Sequence, residues 1–167
     1  MSAKNDPTKN ISPSTGMPYD QTLLHSDVPR HLHRLRTCRQ AIYTSRLINA
    51  QGAYALPIEC DDVLEYLESI DHSMSKIRDA VKAVHDRREK ALPSPYKLLM
   101  YLYAANDHVH SAMQSVRQYR PICVSRTPKS KQSQSRVQGE LWTLIRTCEK
   151  IETEAGSMLD ELLLNYQ

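Results

Sequence analysis

The sequence predicts an all-α fold, an antiparallel up-down four-helix bundle, and three observations predict it. Three segments repeat apolar residues at alternating spacings of three and four. Phe is absent and Gly occurs only four times in 167 residues. Prolines or polar stretches separate the periodic segments. Alternating 3-4 spacing puts one apolar stripe on one face of a helix. The poverty in Gly and aromatics works against a β-sandwich or barrel, which needs many turns and many β-preferring side chains. At 40% apolar and 25% charged residues, the composition suits a chain that buries a core.

Each element follows in chain order. Residues 1–27 contain Pro7, Pro13 and Pro18 with few large aliphatics, and they read as a disordered tail whose sticky positions are Tyr19, Leu23 and Leu24. The bundle occupies 28–167. A first helix spans about 28–50, with Pro29 in its opening turn, the stripe Leu32, Leu35, Cys38, Ile42 and Leu47, and Gly52 beyond its end. A second covers about 59–91, on the unbroken seam Cys60, Val63, Leu67, Ile70, Met74, Ile77, Val81 and Val84.

The break Leu92-Pro93-Ser94-Pro95 offers Ser94 as N-cap and Pro95 as first helical residue of a third helix, about 95–120. Its seam is Leu98, Leu102, Ala105, Val109, Ala112, Val116 and Tyr119. A basic, flexible loop is expected over 121–134. Ser135 with Gln138 then forms a capping-box pattern that opens a fourth helix, about 135–165, on Val137, Leu141, Leu144, Cys148, Ile151, Ala155, Met158 and Leu162. A strict two-in-seven stripe would also suit an extended helical pair that dimerises. Leu99, Met113, Ile145, Leu159 and Leu163 widen the stripes and favour the compact bundle.

Charge is laid out in blocks that the net +3 conceals. Arg30, Arg34, Arg36 and Arg39 lie in the first helix with Tyr43 among the arginines, and Arg87 and Arg88 lie near the end of the second. Arg117, Arg120, Arg126, Lys129, Lys131 and Arg136 surround the expected loop. Acids concentrate at Asp61, Asp62 and Glu65 and again in the fourth helix, where Asp160 and Glu161 are expected to offset part of the first-helix arginines. The basic positions are the candidates for contact with a polyanion or a protein partner. Thr127-Pro128 is a phosphorylation candidate inside the basic run.

Signals for catalysis are lacking. The four glycines are isolated, so there is no phosphate-cradling loop, and there is neither a Gly-x-Ser-x-Gly elbow nor a His-Glu-x-x-His pair. Glu68 and His72 are the nearest approach to a bundle metal site, and they fall outside the core register. His31 and His33, beside Arg30 and Arg34, would add positive charge on mild acidification. Cys38, Cys60, Cys123 and Cys148 form no Cys-x-x-Cys pair and read as packing residues. The longest apolar run, residues 98–105, is shorter than the ~20 residues of a membrane span.

No catalytic residue, metal or cofactor is therefore expected. The sequence leads to a non-enzymatic interaction or scaffold protein of the cytoplasm or nucleus, an adaptor or subunit that meets protein partners, a second copy included, through its helix faces. The alternative is an RNA- or DNA-binding bundle that uses the first helix and the 117–136 segment.

Overall fold

The computed structural model describes residues 23–49, 54–87 and 95–165, with 23, 24, 87 and 162–165 described by backbone alone. The expected tail over 1–22, Gly52, Ser94 and Arg88 lie outside the described residues, as do the side chains of Leu162 and Leu163. The helices are α1 (Val28–Tyr43), α2 (Arg46–Asn49), α3 (Pro57–Arg87), α4 (Tyr96–Tyr119) and α5 (Pro128–Asn165). A wide helical turn, Leu23–Asp27, leads into α1, and a 3-10 turn, Arg120–Ile122, follows α4. No strand occurs among the described residues. The four longer helices pack together: α4 lies against α3 and α5, and α1 against the same two.

Every α3 seam residue named from the sequence is buried, from Cys60 at 0% to Met74 at 3% exposure, so the apolar stripe does face the core. The α4 and α5 stripes meet it with Leu102, Val109 and Val116 and with Leu141, Leu144 and Ile151, all buried. Tyr119 is the largest fully buried side chain. Its hydroxyl points at the Cys123 carbonyl at 3.5 Å, so this tyrosine closes the core at the α4 terminus.

Four boundaries differ from the sequence expectation. The tail does not run to residue 27, because Leu23–Asp27 is already helical and packs against α1 and α3. The first helix is not continuous to 50. At its end the Thr44 hydroxyl reaches the Gln40 and Ala41 carbonyls at 3.2 Å and the Ser45 hydroxyl reaches Ile42 O at 2.7 Å. Side chains that satisfy a helix's last carbonyls terminate it locally, and a short α2 follows. Asn49 then ties α2 back by donating to Tyr43 O at 2.8 Å.

The second helix starts at Pro57, two residues early, because the Glu59 carboxylate reaches back to the Leu56 N–H at 2.7 Å. The fourth helix starts at Pro128, seven residues before the expected Ser135, so half of the basic "loop" belongs to it. Thr127 caps it: its Oγ1 accepts the Ser130 N–H at 3.2 Å. Ser130, only 3% exposed, satisfies its own hydroxyl on Ser125 O at 2.5 Å and Thr127 O at 3.0 Å. In this first stretch Ser130 is buried and Ser133 and Gln134 are half-buried, with no aliphatic among them, which hides the helical period from hydropathy.

Candidate functional site

Most of the first-helix arginines are spoken for within the fold. Arg39 Nε lies 2.6 Å from Glu152 Oε2 and one of its terminal nitrogens 3.2 Å from Oε1. Arg36 Nε shares Oε1 at 3.2 Å, and Glu149 stands 3.6 Å from Arg39. Arg39 and Glu152 are only 14% and 10% exposed. The hydrogen bond to Glu152 raises the pKa of Arg39 above the usual arginine range. The partners are thus Glu149 and Glu152, not the Asp160 and Glu161 expected from the sequence. Arg30 pairs with Asp27 at 3.4 Å. Arg34 is exposed and makes no ion pair among the described residues. Tyr43, half exposed, packs edge-on to Trp142 with ring centroids 5.6 Å apart. The side chain of Arg87 and all of Arg88 lie outside the described residues.

The 117–136 residues divide differently. Arg120 grips Asp61 with two hydrogen bonds, 2.6 and 3.0 Å, and holds that carboxyl below the usual aspartate range. Arg126 lies over the Tyr54 ring at 5.0 Å. Arg117, Lys129, Lys131 and Arg136 are exposed and have no ion-pair partner among the described residues. Thr127, the phosphorylation candidate, is the exposed N-cap of α5.

Two of these cations, Lys129 and Arg136, line a cleft of about 390 Å³ between the end of α4 and the start of α5. Gln118 and Ile122 line one side and Lys129, Gln132, Ser133 and Arg136 the other. Sequence reasoning named Lys129 and Arg136 but missed Gln118, Gln132 and Ser133. Neutral polar residues carry no signal of their own until a helix at Pro128 brings Gln132 and Ser133 to one wall, opposite Gln118. At the same end of the molecule, marked by the Asp61–Arg120 pair and the Arg126–Tyr54 contact, Leu56, Ile58 and Val124 stand 47%, 62% and 49% exposed.

The four cysteine thiols are turned inward. Burial pushes the Cys60 thiol up to about 12, with neighbouring Cys123 adding to the effect, and burial does the same to Cys148. Such thiols stay protonated at neutral pH and make poor nucleophiles. His72 does not meet Glu68 in a metal cage; it is exposed and meets His31 edge-on, with ring centroids at 5.9 Å. No three His, Cys, Asp or Glu side chains converge among the described residues. No helix among them is long and apolar enough to cross a membrane.

Comparison with known proteins adds no assignment: no family model, curated protein or solved structure matches the chain.

Proposed function

We propose that this chain is a non-enzymatic interaction protein, an antiparallel up-down four-helix bundle that serves as adaptor or subunit of an assembly in the cytoplasm or nucleus. Successive contacts favour the up-down reading: Asp61 meets Arg120, Asp71 meets His110, and Lys82 meets Tyr103 as the chain descends α3 and ascends α4. Ser115 with Glu140 and Lys97 with Glu154 run the same way between α4 and α5. The four buried free thiols suit a reducing compartment.

One observation carries the functional reading. Exposed Leu56, Ile58 and Val124 share one end of the molecule with the unneutralised cations Arg117, Lys129, Lys131 and Arg136. Apolar anchors rimmed by charge make a docking surface, in which the anchors supply affinity and the cations set orientation and encounter rate. The partner surface that complements it is acidic.

A photo-crosslinking amino acid at Ile58 or Val124 of the full chain, in cells that express it, tests this. Discrete adducts are expected from those two positions and none from exposed Thr153 on α5. Adducts absent from both, or equally strong from Thr153, contradict the reading.

The four free cations also favour nucleic acid as a second reading. Four phosphate contacts give a log–log salt dependence with a slope of about −3.6 on duplex DNA. Retention on random oligonucleotides with that slope supports it; absence of retention at low salt removes it. The expected first-helix contribution is weakened, since Arg30, Arg36 and Arg39 are engaged by carboxylates.

A further inference from the structure

The cleft between α4 and α5 has the donor chemistry of an oxyanion site. Arg136 brings a planar guanidinium that can donate two parallel N–H bonds to one tetrahedral oxyanion, and Lys129 brings a compact ammonium. Two turns of α5 separate them, roughly 10 Å along the axis, with Gln132 and Ser133 between. Gln118 faces them from α4. Each of these five side chains can donate a hydrogen bond, and no carboxylate is among the lining residues. The closest carboxylate along α5 is Glu140, one turn beyond Arg136, and it is engaged by the Ser115 hydroxyl of α4.

Two further features narrow the ligand. No aromatic side chain lines the cleft, so it lacks the stacking platform that single-stranded nucleic acid uses. Its volume of about 390 Å³ exceeds the needs of a bare ion and leaves room, beside Ile122, for the group that carries it.

We propose that this cleft binds a phosphate monoester as its dianion, either on a phosphorylated partner side chain or as a small free phosphate compound. The inference deepens the docking reading above and rests on it for its purpose.

The test follows backbone amides of the full chain by NMR while inorganic phosphate is added at constant ionic strength, with chloride as control. Saturable shifts are expected at Gln118, Ile122 and residues 129–136, with binding strengthening as pH rises from 5 to 7.5 and the dianion forms (second pKa about 6). Lys129→Gln and Arg136→Gln should each weaken binding tenfold or more at unchanged melting temperature, while Arg34→Gln has no effect. Shifts equal to those of chloride, or undiminished in both cleft variants, overturn the proposal. A phosphoserine peptide that binds tighter than phosphate points to a modified partner; equal binding points to a free phosphate compound.

If phosphate fails while the Ile58 and Val124 adducts persist, the docking reading survives and this one falls. Loss of the adducts with phosphate binding intact gives the reverse.

Discussion

Glu152 shows how a single residue decides what the first-helix arginines are for. Its two oxygens hold Arg36 and Arg39 against α5, and two of these three side chains are largely withdrawn from water. Removing the carboxylate leaves the largely buried Arg39 with only Glu149, at 3.6 Å, as partner, so Glu152→Ala should cost about 2 kcal/mol in chemical denaturation. Glu152→Gln should recover part of that, because it keeps an acceptor oxygen.

His31 sets the pH response. It is 9% exposed, and its pKa is lowered first by burial, then by Arg30 and by His72 across on α3, with Arg34 adding and Asp27 opposing. A histidine whose folded pKa lies below its unfolded value binds protons more readily when unfolded. Its contribution is therefore intact above about pH 6.5 and lost as pH falls through the folded value. The denaturation midpoint should fall between pH 7 and pH 5, and His31→Gln should flatten that fall. The carboxylate of Asp61 acts only in a lower window, since its pKa is depressed and its pairing with Arg120 is lost below the ordinary aspartate range.

At the scale of elements, α5 separates what the sequence discloses from what it conceals. Aliphatic seams are legible: spacing alone locates the buried seam residues of α3, α4 and the body of α5, though not buried Ser73, Ala80, Ser115 and Thr147. The first turns of α5 are not legible, because buried Ser130 and half-buried Ser133 and Gln134 stand where aliphatics would, and such polar residues have no hydropathic period. The Ser135–Gln138 pattern is a capping box by sequence alone; Ser135 lies two turns inside the helix. Thr127→Ala should cost about 1 kcal/mol by loss of the cap, whereas Ser135→Ala should leave stability unchanged or slightly raised. Equal losses at both sites would contradict this boundary.

The same misplacement obscured half of the candidate cleft. Its two cations were visible as charge, but Gln132 and Ser133 needed the helix before they could share their wall, and Gln118 needed it before it could face them. The break at Thr44 and Ser45 was hidden for a related reason: two hydroxyls that satisfy carbonyls look, in sequence, like two more polar surface residues.

For the whole molecule, a shared basic end requires that particular helix ends meet. The start of α3, the end of α4 and the start of α5 must lie together for Leu56, Val124 and Lys129 to form one surface. Contacts such as Asp61–Arg120 and Ser115–Glu140 then become rungs between neighbouring helices rather than isolated pairs. Charge supports that arrangement, since the acids opening α3 lie where the bases closing α4 can reach them.

Spin–spin distances measured by pulsed electron resonance give the most direct test. Labels at exposed Asp62 and Gln132 should report a short separation. Labels at Asp86 and Gln132 should lie about 36 Å or more apart, because 24 residues of α3 at 1.5 Å each separate the two probe sites on that helix. Comparable distances for the two pairs, or a shorter one from Asp86, would mean that the helices do not alternate in direction and that no shared basic end exists.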